Sequence, residues 1–398
     1  MVSGPLRVAI LAESYLPYLS GVTVSTDALA RGLGAAGHEV LVVAPAPGHG
    51  RSPGSAGSPG SEPRFAWLPS YQMPWLVPEG FRMPIPLLGS RALAEALAFA
   101  PHVVHAQSPF VSGVLAARLA RRCGAPLVFT HHTRFADYGH YLGPFARPGS
   151  AVIRGHLRRF WAGCAAIVAP STDLADEIAG RLPAGRGPIV RTIPTGVDVG
   201  AIRALPTINP RPAAGWPADS RVIASLGRLA PEKSVGTVID AFARLAPGDQ
   251  RLRLLLIGDG PSQVALEARV AQQGLQSRVH FAGKRPRLEA LALLKGAELF
   301  AFASRTETQG LVLAEALTCG LPVIAIEGPG VRDSVRDGRD GIVVPDASAA
   351  AVASAMGRLL ADDERRAALA GAASRDADRF DLRVRVAQVE ALYRELLT

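Results

Sequence analysis

Short apolar runs alternate with helical patterns twice along this chain, and a proline-rich stretch separates the two series. In the first series the runs fall at 7–12, 39–44, 102–105, 126–130, 166–169 and 189–193, with helical spacing near 23–36, 90–99, 111–122 and 172–181. In the second they fall at 221–226, 252–257, 278–281, 298–302, 322–326 and 341–344. A strand, a helix and a further strand in succession pair parallel, because the helix carries the chain back across one face of the sheet. The expectation is an α/β chain of two doubly wound, Rossmann-like domains, at 1–195 and 220–380. Residues 196–219 hold Pro206, Pro210, Pro212 and Pro217 and read as an irregular connector. A closing helix over 381–398 places Val386, Val389, Leu392 and Leu396 at helical spacing. At 398 residues the chain exceeds one ordinary core, which also favours two domains. Such folds bind ligands outside the carboxyl ends of their strands, so two domains facing each other would enclose a cleft.

Composition removes several classes. The chain is 48% hydrophobic and 19% charged, which is globular, and no apolar run approaches the roughly 18 residues of a membrane span. Residues 1–5 lead straight into an apolar run that Glu13 interrupts, which is no secretory signal. Three scattered cysteines, Cys123, Cys164 and Cys319, give neither a disulfide framework nor metal spacing, so a cytoplasmic protein is expected. The net charge of +9 is unevenly placed: no acid stands between Asp137 and Asp173, where Arg147, Arg154, Arg158 and Arg159 cluster. Ala151–Cys164 reads as a helix with Ile153, Leu157, Phe160 and Trp161 on one face. A basic amphipathic helix can lie on an anionic membrane, or it can pack its stripe into a core. Two loops stand out. His49–Arg64 is Gly/Ser/Pro-rich and reads as mobile, while Trp67–Leu88 mixes Trp67, Tyr71, Trp75 and Phe81 with five prolines. The aromatic segment is too broken to read as a strand or helix and would either cover the core or offer an apolar lip to a lipid.

Two motifs in the second half carry chemistry. Ser225-Leu226-Gly227-Arg228-Leu229-Ala230-Pro231-Glu232-Lys233 follows one strand and precedes a helix expected from about Val235 to Ala246. Two cations five residues apart, on a loop that opens a helix, can clamp both phosphates of a leaving nucleoside diphosphate. Lysine is rare here: of 43 Lys+Arg, only Lys233, Lys284 and Lys295 are lysines. Lys233 is therefore a choice of a compact point charge where arginine would bring a planar fork. Further on, Ser304-Arg305-Thr306-Glu307-Thr308-Gln309-Gly310-Leu311 runs into a helix that contains Glu315, and then into Cys319-Gly320-Leu321-Pro322. Two glutamates eight apart, with a helix N-terminus between them, can reach both ends of one elongated ligand and offer N–H groups to its middle. That suits a nucleotide-sugar, with hydroxyls at one end, diphosphate in the centre and ribose at the other.

In the first half, Gly21 at a helix entry lets backbone N–H groups approach a phosphate. Val128-Phe129-Thr130-His131-His132-Thr133-Arg134-Phe135-Ala136-Asp137-Tyr138 ends a buried strand, so His132, or His131 one residue earlier, stands where ligands bind. Adjacent histidines without a third ligand at suitable spacing do not make a zinc site. Gly32-Leu33-Gly34-Ala35-Ala36-Gly37 matches a dinucleotide fingerprint as a string, but ends a helix and precedes a strand, the reverse of the required order. Asp376-Ala377-Asp378 imitates a metal-binding pair, yet lies in a charged helical stretch away from any strand end.

The segment from Glu307 to Glu315, with the Arg228/Lys233 loop, resembles the donor-binding signature of retaining glycosyltransferases in the large family 4 type, which includes sucrose and glycolipid synthases. The resemblance covers essentially the whole chain and is strongest from Ser225 to Pro345. Thr306-Glu307-Thr308-Gln309-Gly310 and His132-Thr133-Arg134-Phe135-x-Asp137-Tyr138 are most similar to diacylglycerol glucosyltransferases and their mannosyl relatives. The resemblance implies the two-domain GT-B fold, with an acceptor-binding first domain, a nucleotide-sugar-binding second domain, and the last helix crossing back to the first. It implies that Arg228, Lys233 and helix N-termini hold the diphosphate in place of a metal, so neither metal nor cofactor is expected. Glu307, Thr308, Gln309, Gly310 and Leu311 would hold the donor sugar, and Glu315 the ribose. Lys284 and Arg285 would stand by the base, Gly227 and Gly21 by the phosphates, and His132 by the sugar. Ser20 stands where relatives often carry a glycine, and Gln309 where many carry an aromatic. The expected activity is retaining transfer of a hexosyl unit from a UDP- or GDP-hexose to a hydroxyl acceptor, lipid or lipid-linked, giving an α-glycoside. The expected station is cytoplasmic, peripheral on the inner face of the cell membrane. A soluble acceptor, a nucleotide-sugar epimerase and a non-catalytic sugar-nucleotide or nucleic-acid binder are the alternatives, although no basic-aromatic stacking motif supports nucleic acid.

Overall fold

The structure, a computed structural model, describes residues 4–18, 20–47, 62–72, 81–85, 91–134, 146–183 and 187–398, and of 146–148 the backbone alone. Residues 49–61, Trp75 with its neighbouring prolines, Phe135, Asp137, Tyr138 and the Arg147 side chain lie outside the described residues. The chain forms two compact units: Met1–Gly196 with Leu382–Thr398, and Val197–Asp381.

The first unit is built on β1 (Arg7–Leu11), β2 (Glu39–Pro45), β3 (Arg64–Leu68), β6 (Val103–Ala106), β7 (Leu127–Thr130), β8 (Ala166–Ala169) and β9 (Ile189–Thr192). They form one parallel sheet in the order β3-β2-β1-β6-β7-β8-β9. Two short strands, β4 (Ser70–Gln72) and β5 (Arg82–Pro84), pair antiparallel apart from it. Helices cover both faces, so the inner strands are buried on both sides; Val8, Ala9, Ile10 and Leu11 are all inaccessible. The second unit repeats the plan with β10 (Arg221–Leu226), β11 (Leu252–Ile257), β12 (Val279–Gly283), β13 (Leu299–Phe302), β14 (Val323–Ile326) and β15 (Gly341–Val344), ordered β12-β11-β10-β13-β14-β15. The strands expected from the sequence are all present, within one or two residues at their ends.

Two expectations change, and one pair of alternatives is decided. Of the stretch 196–219 expected as a connector, Gly196 belongs to the first unit and 197–219 to the second. Val197, Val199, Ile202 and Trp216 join its core, and helices form at Val199–Ala204 and Pro210–Ala213. Asp198 caps the first by accepting from the Ala201 N–H at 2.8 Å, Asn209 caps the second, and Lys295 Nζ donates to the Leu205 carbonyl at 2.6 Å. Prolines that look disruptive thus open a helix, where a missing N–H costs nothing. Second, the Trp67–Leu88 segment contains strand after all, because Ala66 and Leu68 turn to the core while Phe65 and Trp67 stack on the opposite face at 5.1 Å. Third, the basic helix runs Ala146–Ala162 and places Leu157, Phe160 and Trp161 in the core, leaving Arg154, Arg158 and Arg159 exposed. Leu157, Phe160 and Trp161 are committed to packing, while the basic face and Val152 meet solvent.

The C-terminal helix, Leu382–Glu395, lies in the first unit with Val386, Val389, Leu392 and Tyr393 buried. Tyr393 Oη meets His105 Nδ1 at 2.6 Å, and His105 Nε2 meets Thr130 Oγ1 at 2.7 Å, so strand, strand and terminal helix share one buried polar chain. His131 is also buried, against Phe129 and Trp161. Burial pushes both His105 and His131 down to about 3. Each is neutral when folded but takes a proton near its ordinary value of about 6.5 when unfolded. The unfolded chain therefore binds more protons below that pH, and stability drains as pH falls from about 6.5 toward 3, by about 1.4 kcal/mol per pH unit for each histidine. Carboxylates hardly titrate between pH 6.5 and 5. Urea midpoints across that window should fall; a flat profile would show that these imidazoles are not held neutral by the fold.

Candidate functional site

In the second sheet the order reverses between β10 and β13: strands earlier in the second series lie to one side and later ones to the other. The loops leaving these two neighbours therefore part, and a crevice opens at their carboxyl ends. Both motifs singled out in the sequence lie there. After β10, Gly227 leads into Arg228 and Leu229, a 3-10 turn at Pro231–Lys233, and the helix Val235–Leu245. After β13 come Ser304 to Gly310 and the helix Leu311–Thr318.

Backbone contacts hold the basic loop. The Gly227 N–H donates to the Ile257 carbonyl at 3.0 Å, Leu229 N–H to Asp259 at 2.7 Å, and Ser262 N–H back to Leu229 at 2.9 Å. This needs glycine at 258 and 260. A Cβ would lie 2.0 Å from the Gly227 carbonyl oxygen at the first position and 2.4 Å from that of Leu229 at the second. The donor-side loop is tied to the same segment, with Ser304 Oγ donating to the Glu232 carbonyl at 3.2 Å.

Two of the expected site residues meet directly: the Lys233 ammonium pairs with the Glu307 carboxylate across the crevice. Arg228 is nearly half exposed, and its closest acid is Glu232, 3.7 Å away. One cation is thus fixed at the crevice and the other reaches solvent beside it. Gly310 starts the helix Leu311–Thr318 at φ 71°, a conformation costly for any side chain. Gln309 is buried, and its carbonyl accepts from Ser334 Oγ at 3.3 Å; a Cβ on Gly330 would lie 2.7 Å from the Thr308 carbonyl oxygen. Leu311 is half-buried at the first turn. Glu315 is buried and accepts from Arg287 Nε at 2.6 Å. After β12, Lys284 is exposed, whereas Arg285 folds back, donating to the Ala282 carbonyl at 2.9 Å and to Glu289 at 3.2 Å.

The first sheet reverses its order in the same way between β1 and β6. Glu13, in the loop after β1, accepts from the Ser112 N–H at 2.9 Å and Ser112 Oγ at 2.8 Å, capping the helix Val111–Cys123. Gly21 opens the helix Gly21–Ala35 with Ser20 as its cap, the Thr23 N–H donating to Ser20 Oγ at 3.2 Å. The space above Gly21 is open: an added Cβ would meet nothing within 4 Å. Of the two histidines that end β7, His131 is the core residue and His132 the half-buried one. His132 Nε2 lies 2.7 Å from Gln107 Oε1, within hydrogen-bond distance. Burial pushes His132 down to about 4, which keeps the imidazole neutral at pH 7.

Glu13, Gln107, Arg287 and the Gly258/Gly260 pair were not singled out in the sequence. A Gly-Asp-Gly directly after an apolar run was a legible sign of close backbone approach. Nothing local pointed to Arg287, whose partner lies 28 residues away.

Comparison with known proteins identifies the family. Residues 19–201 match the model for Glycosyltransferase Family 4, and residues 208–376 that for Glycosyl transferases group 1. The chain is 32% identical over 363 residues to a GDP-mannose-dependent alpha-mannosyltransferase of Mycolicibacterium smegmatis, covering 90% of each. It is 28% identical over 347 residues to an alpha-monoglucosyldiacylglycerol synthase of Acholeplasma laidlawii, covering 85% of this chain and 84% of that one. The structure of a sucrose-phosphate synthase from Thermosynechococcus elongatus shares its two-domain fold, with a TM-score of 0.76 at 20% identity over 98% of this chain and 99% of that one. The chain belongs to this family of GT-B glycosyltransferases, which carry a sugar from a nucleotide-diphosphate donor to an acceptor.

Proposed function

We propose that the protein is a metal-independent, retaining hexosyltransferase that uses a UDP- or GDP-hexose and a lipid or lipid-linked hydroxyl acceptor at a membrane surface. The observation that carries the donor half is the meeting of Lys233 and Glu307 at the reversal of the second sheet, with Arg228 beside them. Arg228 and Lys233 would take the charge of the departing diphosphate, assisted by N–H groups at the starts of the two helices that follow. Glu307, with the backbone of Thr308 to Leu311, would hold sugar hydroxyls, and Glu315 the ribose. Lys284 is free to approach the base, while Arg285 is occupied by local partners. A neutral His132 suits a hydrogen bond to the sugar better than a charge contact. In the reaction the bond from the anomeric carbon to the diphosphate oxygen breaks as the acceptor oxygen bonds to the same face. The acceptor's proton leaves with the diphosphate. With no carboxylate assigned as nucleophile, stabilising the leaving charge is the main catalytic term.

The lipid acceptor rests on the first unit. Between Glu95 and Asp173 the sequence has eight arginines and one acid. Among them a groove of about 580 Å³ is floored by Val111, Val114, Val152 and Ile153, with Arg118 at its side. Val152 is 73% exposed. Both curated relatives described above bear "alpha" in their names, and one of the two is named for a diacylglycerol product.

Three measurements test this. With a panel of nucleotide sugars, Lys233→Ala should lower kcat about a hundredfold, roughly 3 kcal/mol of lost leaving-group stabilisation, with its melting temperature unchanged. A near-normal kcat would sink the clamp. Turnover should survive excess EDTA; loss that Mg²⁺ or Mn²⁺ restores would replace the cation mechanism with a metal one. In flotation with anionic vesicles at low salt, the enzyme should rise with the lipid and lose binding when Arg154 and Arg158 are replaced, each basic residue contributing about 1 kcal/mol. An enzyme that stays soluble throughout would favour a soluble acceptor.

A further inference from the structure

Arg287 occupies an unfavourable place for a cation. It opens the helix Arg287–Leu294, at the end where the macrodipole is positive. The acid of that first turn, Glu289, is answered by Arg285 instead. What Arg287 does is reach another helix: its Nε donates to Glu315 Oε1 at 2.6 Å, and Glu315 stands on the helix that follows β13, whereas Arg287 stands on the one that follows β12. The Glu315 side chain is 9% exposed and that of Arg287 36%. Among the described residues Glu315 Oε2 makes no hydrogen bond, and the two terminal nitrogens of Arg287 make none either. A nearly buried carboxylate is thus held by one oxygen from one side, with its second oxygen uncommitted.

We propose that Arg287 is a positioning residue for the nucleoside end of the donor. By gripping Oε1 it fixes the Glu315 side chain so that Oε2 is presented to a ribose hydroxyl, and this sets the affinity for the nucleotide rather than the rate of transfer. The proposal rests on the reading of Glu315 as the ribose partner. A buried carboxylate with both oxygens free would have to choose its orientation at each binding event, and would lose its one charge-assisted contact.

The test compares wild type, Arg287→Ala, Glu315→Gln and the double variant, measuring Kd for free UDP and GDP, KM for the nucleotide sugar, kcat and melting temperature. For Arg287→Ala, Kd and KM should rise about tenfold, the lower end for loss of a charged hydrogen bond at a partly exposed pair, while kcat stays within about twofold. Because Arg287 acts through Glu315, the double variant should bind no worse than Glu315→Gln alone. Arg287→Ala binding UDP or GDP as wild type does would overturn the proposal alone. So would a double variant whose losses add, or a fall in kcat with KM unmoved. A wild type that binds neither nucleotide would overturn the donor-site reading, and the proposal with it.

Discussion

Each sheet reverses its strand order once, and the chemistry of the second domain depends on that reversal. At β10 and β13 two neighbouring parallel strands send their following loops to opposite faces, so the sheet cannot close over its own carboxyl edge. The exposed backbone there needs partners. Some are supplied by the loop after β11, which presses against Gly227 to Leu229 closely enough that only glycine fits at 258 and 260. The basic loop is therefore a backbone structure first and a charged surface second. Arg228 and Lys233 stand on a segment whose position does not depend on their own side chains. That suits charge stabilisation, which works best when dipoles and charges need not reorganise as the reaction proceeds.

The lysines divide by role in a way their rarity only partly announced. Lys233 meets Glu307 in the crevice, and Lys295 caps a helix C-terminus through three carbonyls, one of the contacts that join 197–219 to the second unit. A flexible stem with a compact head suits both tasks. The arginines beside them behave differently. Arg285 folds onto its own turn, and Arg287 spans two helices to reach a buried carboxylate. A count of cations after a strand end does not separate these fates, because the partner in each case is decided by which helices pack together.

In the first domain the histidines near the carboxyl edge are neutral, alongside the charged Glu13 and the Arg134–Glu177 ion pair. His105, His131 and His132 are all pushed down by burial; the ring nitrogens of His105 meet tyrosine and threonine, and Nε2 of His132 meets glutamine. Arg121, Arg122, Arg154, Arg158 and Arg159 lie exposed on the helices Val111–Cys123 and Ala146–Ala162, whereas Arg134 follows His132 and pairs with Glu177.

Periodicity and punctuation in the sequence determined the two-domain α/β architecture, the strands, and the placing of both donor motifs on loops between a strand and a helix. These are local properties: apolar runs long enough to be strands, helical spacing after them, and glycine at the turns. They also determined which candidate residues stand on which loop, since Gly227, Arg228, Lys233, Glu307 and Gly310 follow two strand ends. Tertiary structure decided what local signals cannot carry. It absorbed the proline-rich 197–219 into a core, because Val197, Ile202 and Trp216 find apolar partners only once the second sheet exists. It made strands of part of the aromatic, proline-rich segment by giving β2 an edge to pair with. It sent the amphipathic stripe of the basic helix inward. It chose His131 for the core and left His132 at the edge, a one-residue choice that depends on register against β8. It also joined Glu315 to Arg287 and Lys233 to Glu307, pairs 28 and 74 residues apart, because packing between helices, not distance along the chain, decides which charges meet.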